Sequence, residues 1–256
     1  MSYRTALDHV LTGAVASGGE PARTQGRFPR SGVTALGRAG LLGLTVAPEL
    51  GGGGRGLAEA ADVVARVARV CPAAAAVLRS HYAAVAVVEA HGGAWVRAEI
   101  AAGRHLCSLA LEEDGPEFAA RRTGEVVTLR GRKRQVVAAG EADSYVWSSG
   151  LSGAGASGTG PSGAGPSEVG PGGRSLWLVP AHAPDLYVPA RAAGPGPSGS
   201  ATSTVCADPV RVPASALLGE DGDGERLVRE LVLPWLTELA AAADTVPGQE
   251  PALVAS

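Results

Sequence analysis

The chain has 256 residues, of which 45% are hydrophobic and only 4% aromatic, and its formal net charge is -3. That length suits one large domain or two modest ones. The near-neutral balance excludes the basic surface that nucleic-acid binding calls for, and the core must be built mainly from Ala, Val and Leu, which bury little area each.

Residues 1–105 read as helical. A segment beginning after Pro29 carries Leu36, Ala39, Gly40 and Gly43 on one face, and Pro48 with the glycines at 51–54 forces a loop. The stretch Leu57–Ala68 is amphipathic, with Leu57, Ala61, Val64 and Ala68 on one side. Pro72 opens a further helix through Val77, His81 and Val85 that stops at Gly92 and Gly93. A third helical stretch covers residues 95–100 and ends at Gly103. The texture then changes to short glycine-punctuated strands at 106–111, 125–129, 135–138, 144–147, 175–179, 202–206 and 210–212. Between them, residues 148–174 are Gly/Ser/Ala/Pro-rich, a composition that cannot bury enough apolar area to offset ordering, and residues 193–200 form a second such loop. From Glu225 helical spacing returns at Leu227, Leu231, Trp235 and Leu239, with Pro234 expected to kink the helix. Helices first and strands afterwards make the class α+β. The predicted divisions are a helical amino-terminal domain (1–105), a β-domain (106–224, with a flexible insertion at 148–174) and a residual helix and tail (225–256).

Cys71, Cys107 and Cys206 have no metal-ligand spacing, so no metal is expected. An odd thiol count without a basic, apolar leader points to the cytoplasm. The alanine-rich runs at 58–90 are broken by Glu59, Asp62, Arg66, Arg69 and Arg79, so no membrane span is expected.

The order of motifs resembles the acyl-CoA dehydrogenase family. The residues that carry the likeness are FPRSGVTALGRAGLLGLTVAPELGGGGRGLAEAADVVARVARVCPAAA, then HYAAVAVVEAHGGAWVRAEIAAGRHLCSLALEED, then GRKRQVVAAGEADSYVW, SLWLVPAHAPDL and VCADPVRVPASALLGEDGDG, over roughly residues 28–224. The resemblance implies a helical amino-terminal domain, a β-barrel-like middle domain and a carboxy-terminal helical bundle. It also implies FAD between the last two, and a bundle glutamate as the base toward an acyl thioester. This chain has room for little more than the first bundle helix.

Two segments correspond to the family's flavin walls. Where the family usually reads Trp-Ile-Thr, this chain has Gln135, Val136 and Val137. Where it reads T-E-P-x-x-G-S-D, this chain has Leu111, Glu112, Glu113, Asp114 and Gly115, of which only Glu112 and Gly115 match. With the aromatic, the threonines and the Ser-Asp pair gone, no cofactor is expected, or FAD under the alternative. The cofactor-equivalent residues are Leu111, Glu112, Gly115, Gln135, Val136 and Val137, and the catalytic residues are unknown.

Other features read more simply. Gly51–Gly54 lacks a preceding strand and a P-loop lysine, so it is a turn. The cluster Arg121, Arg122, Arg130, Arg132, Lys133 and Arg134 reads as a solvated hairpin face rather than a CoA-phosphate site. His81 reads as a core histidine, and His91 and His105 as helix-end residues. Glu112, Glu113 and Asp114 crowd three carboxylates, which would raise one pKa if they converged. Three readings follow: a flavin-dependent dehydrogenase completed by a partner chain; a flavin-free or redox-impaired protein binding a partner or ligand; and a cofactor-free enzyme on an acyl thioester. The missing bundle and the changes at Gln135 and Val137 favour the last two. An apolar stripe at Leu227, Leu231, Trp235 and Leu239 with nothing downstream to cover it predicts a homodimer or a dehydrogenase-like partner chain.

Overall fold

The computed structural model describes residues 2–114, 119–150, 173–190 and 196–244. The helical part begins with α1 (Tyr3–Val10), a π turn (Leu11–Val15) and α2 (Ala16–Gln25). It continues through α3 (Arg30–Arg38), α4 (Leu57–Ala68), α5 (Pro72–His91) and α6 (Ala94–Ala101). The periodic face that begins in α3 outlasts the helix. Gly40 is left-handed at φ 74 and the Leu41 N–H donates to the Leu36 carbonyl, so the chain turns before Gly43. Glu59 accepts from the Gly56 N–H at 3.1 Å and caps α4. Pro72 occupies the first turn of α5, where its missing donor costs nothing.

Helix α5 is the axis of the molecule. Its buried side chains lie all round the helix, from Ala73 to Val88, and it packs against α4 and α6. By length and composition it is, contrary to expectation, apolar enough to cross a membrane, but most of it is wrapped by protein. Its alanines explain how: with little beyond Cβ, neighbouring backbones come close on every side.

The strands are β1 (Cys107–Ala110), β2 (Glu112–Glu113), β3 (Ala119–Thr123), β4 (Val126–Val136), β5 (Ser144–Gly150), β6 (Arg174–Pro180), β7 (Leu186–Tyr187), β8 (Ser203–Pro213) and β9 (Leu217–Leu218). They form one sheet of order β1-β5-β6-β9 and another of order β2-β4-β8-β7, with β3 also on β4. The barrel-like expectation is corrected here: the two sheets do not close, and among the described residues no ladder joins them. The edge strands β2, β7 and β9 have two residues each, too few to carry a ladder onward. Strand β5 is buried from Ser144 to Ser149 on both faces, as expected of a strand covered on both sides.

Two further expectations change. The strand expected at 135–138 is the end of β4, which stops at Val136 because Gln135 (φ 57) and Ala138 (φ 55) are left-handed. The strands expected at 202–206 and 210–212 are one strand, β8, whose register slips opposite Leu129 and Gly131. Of the insertion placed at 148–174, residues 148–150 lie in β5 and Arg174 begins β6, while 151–172 lie outside the described residues, as do 193–195 of the second loop.

The chain ends its described course as α7 (Gly224–Leu227), a π turn (Val228–Val232) and α8 (Leu233–Asp244). Pro234 falls in the first turn of α8, directly after the π turn, and that wider turn takes up its ring and missing donor. The stripe expected to be bare is covered: Leu227 and Leu239 are fully buried, Leu231 and Trp235 partly so. Helices α4 and α5 supply the cover.

A cleft between the central helix, the sheets and the last helices

A cleft of about 740 Å³ opens where α5, the ends of β1 and β4, and the segment from α7 to α8 meet. Helix α5 contributes Ala76, Arg79 and Ser80, spaced so that they share one face. The sheets add Leu109, Leu111, Glu112, Glu113, Gln135, Val137, Ser148 and Leu176, and the last helices add Val228, Val232 and Leu236. The volume lies in the range of small-molecule sites, and the aliphatic surface is interspersed with charged groups: Arg79, Arg134, Arg174 and Arg229 with Glu112, Glu113 and Glu225.

The local geometry has clear causes. Ser80 Oγ lies 2.9 Å from Ser108 Oγ and accepts from the Leu109 N–H at 3.1 Å, while Ser108 Oγ donates to the Val137 carbonyl. One helix, one strand and the turn after β4 are thus stitched at the cleft wall. A register shift between Lys133 and Val136 goes with the left-handed Gln135 and lets adjacent residues Arg134 and Gln135 both line the cleft. A non-glycine residue held there costs about 1–2 kcal/mol.

Beneath the wall sits the chain's only lysine. Strand β4 alternates, with Val127, Leu129 and Gly131 inward, and the same parity carries Lys133 inside, where it is fully buried. Its Nζ donates to Glu113, and to Ser148 Oγ at 2.8 Å, and lies 5.2 Å from the centroid of the Trp147 ring. Burial pushes the ammonium down to about 8, opposed by the Glu113 carboxylate. Ser148 Oγ in turn donates to the Leu111 carbonyl at 2.9 Å. Among the described residues Glu113 Oε2, which is buried, has no hydrogen-bond partner.

The charges resolve the two cluster readings. Glu112, Glu113 and Asp114 do not converge: across the β2–β4 edge they pair with Arg134, Lys133 and Arg132 in turn. Arg122 pairs with Glu125, and Arg130 with Asp208. Arg121 aside, the basic cluster is therefore a ladder of ion pairs, exposed except for Lys133, which is not on the solvated face. Of the cofactor-equivalent residues, Leu111, Glu112, Gln135 and Val137 line the cleft, Val136 points into the core and Gly115 lies outside the described residues. His81 is fully buried, with Nε2 at 3.0 Å from the Leu42 carbonyl and Nδ1 accepting the Cys107 N–H at 3.1 Å. His105 meets Ser144 Oγ at 2.8 Å rather than a helix carbonyl. Among the described residues no group of His, Cys, Asp or Glu is placed to hold a metal ion.

Sequence reading missed the burial of Lys133 beneath the wall and Arg79 as a cleft group. The parity of Val127 and Leu129 was a signal for the first. For the second, the signal was a single cation within an otherwise apolar helical run.

Residues 3–103 match the model of the acyl-CoA dehydrogenase N-terminal domain, and no curated protein matches the chain by sequence. Butyryl-CoA dehydrogenase from Megasphaera elsdenii superposes with a TM-score of 0.79 at 19% identity, covering 94% of this chain and 63% of that one. TdsC from Paenibacillus sp. A11-2, solved with FMN bound, gives 0.74 at 18% identity, covering 93% and 61%. FkbI, for biosynthesis of the methoxymalonyl extender unit of Fk520, gives 0.68 at 23%, covering 94% and 63%. The chain spans under two thirds of the length of each of these proteins. Residues 3–103 are similar to that family's amino-terminal domain, and the chain as a whole, helices and sheets together, has the acyl-CoA dehydrogenase fold.

Proposed function

We propose that the cleft binds an acyl thioester beside a flavin, and that the protein belongs to an oxidoreductase system in which a partner chain or second copy completes the open side. The observation that carries this is the cleft itself, which sets aliphatic surface from Leu109, Leu111, Val137 and Leu176 beside charged and hydrogen-bonding groups. The residues present fit a flat, largely apolar ring. Leu111, Val137 and Leu176 offer apolar surface, and Gln135 and Thr202 offer hydrogen-bonding groups among the lining residues. A bound flavin would supply a two-electron acceptor. The chain's own residues would bind and orient the thioester and exclude water around it. Relatives of this fold solved with FMN support the reading, which replaces the expectation of no cofactor. Among the described residues each cleft carboxylate is already ion-paired: Glu112 with Arg134, Glu113 with Lys133 and Glu225 with Arg174.

The flavin-free reading keeps one specific support: Val137 has the shape of a threonine without its hydroxyl, and Gln135 replaces an aromatic surface. The test is to incubate the purified chain with FMN or FAD, separate by gel filtration and record the visible spectrum, with acyl-CoA binding measured by calorimetry in parallel. Retention of the flavin band with thioester binding is the expected result. Thioester binding without flavin would select the flavin-free reading. Loss of both would remove the proposal.

A further inference from the structure

We infer that Arg79 makes the cleft selective for an acyl group that carries a second, terminal carboxylate; the inference rests on the acyl-thioester reading above and specifies its substrate class. Arg79 stands on α5 within the cleft lining, between Ala76 and Ser80, and its Nε is buried with no hydrogen-bond partner. Among the described residues no carboxylate lies within ion-pair distance of its guanidinium, and the three glutamates of the lining are taken by Arg134, Lys133 and Arg174. A buried donor left without an acceptor is costly, and more so when it belongs to a cation that has no acid partner. The cost is removed when a ligand brings an anion to that place. The guanidinium fork matches a carboxylate with two parallel hydrogen bonds. Arg229, exposed on the π turn, lines the same cleft and adds positive charge.

Two sources of negative charge are available on a CoA thioester: a carboxylate on the acyl chain and the phosphates of the nucleotide. The burial of Nε, in a cleft whose lining includes Ala76, Leu109 and Leu111, favours the former, because an acyl end can enter a partly aliphatic recess that a nucleotide phosphate with its hydration shell does not. Affinities of succinyl-CoA and butyryl-CoA, which share the nucleotide and differ only at the acyl end, separate the sources. They are measured by calorimetry on the full chain, on Arg79→Gln and on Arg79→Lys, with thermal melts to establish that each variant folds. Succinyl-CoA is expected to bind the unmodified chain about tenfold or more tightly than butyryl-CoA, the worth of a charge-assisted contact. Arg79→Gln is expected to erase the difference and Arg79→Lys to keep part of it. Equal affinity for the two thioesters in the unmodified chain would overturn the inference while leaving the acyl-thioester reading intact. Equal weakening of both by Arg79→Gln would assign the arginine to the nucleotide phosphates and also overturn it. Failure of both thioesters to bind would remove the underlying reading as well. If Arg79→Gln does not fold, the preference of the unmodified chain, with free succinate and butyrate as competitors, decides the matter.

Discussion

His81 should make the fold sensitive to mild acid. The ring is fully buried in α5, its Nε2–H directed at the Leu42 carbonyl and its Nδ1 filled by the Cys107 N–H. Both nitrogens are used by the neutral ring, and a proton on Nδ1 would meet the Cys107 N–H. Burial accordingly pushes the pKa down from 6.5 to about 4. In the unfolded chain the ring titrates near its ordinary value, so between about pH 6.5 and 4 the unfolded state binds a proton that the folded state refuses. Stability therefore falls as pH drops through that window and loses nothing more from this group below it. The full shift corresponds to about 3 kcal/mol, a large part of the stability of an ordinary domain. Urea unfolding at steps from pH 7.5 to 4 measures it, with His81→Gln as the comparison, since an amide can donate to Leu42 and accept from Cys107 without titrating. The variant should start less stable than the parent at pH 7.5 and lose less on acidification, so that the gap narrows by about 3 kcal/mol. Parallel pH profiles for the two proteins would refute the argument.

Three other outcomes are expected. Lys133→Met leaves Glu113 as an unpaired buried charge and should cost about 3–5 kcal/mol in chemical denaturation, whereas Lys133→Met combined with Glu113→Leu should cost less than the single change. A Cβ on Gly37 would lie 2.4 Å from the Gly103 carbonyl oxygen, and one on Gly103, at φ 70, would lie 2.1 Å from that of Gly37. Alanine at either site should cost about 1–3 kcal/mol or more, while Gly13→Ala, with open space around it, should raise the melting temperature slightly. Gly150 and Arg174 are register partners across β5 and β6, so replacing residues 152–172 by a four-residue Gly/Ser turn should leave the melting temperature within a few degrees, and a large drop would show that the removed residues pack.

Much of the helical half was legible because its signals are local. Pro72 and Gly92 bound α5, and the spacing of apolar residues from Leu57 to Ala68 defines α4 to the residue. The order of motifs was likewise enough for the fold, since turns, glycines and strand lengths recur along the chain. What the sequence could not carry was the outcome of pairing. Gln135 reads as an ordinary strand residue until the shift against β8 is known, and only that shift ends β4 at Val136 and brings Arg134 and Gln135 to one cleft. The stripe from Leu227 to Leu239 reads as bare because nothing follows it, yet α4 and α5, more than 130 residues earlier, cover it. Charge shows the same division. Three consecutive acids look mutually repelling in the sequence, but alternation along β2 and the antiparallel register to β4 give each its own base. Arg79 has a helical position that the sequence assigns and, among the described residues, no acceptor for its Nε, which the sequence cannot show because it depends on what surrounds the side chain in space.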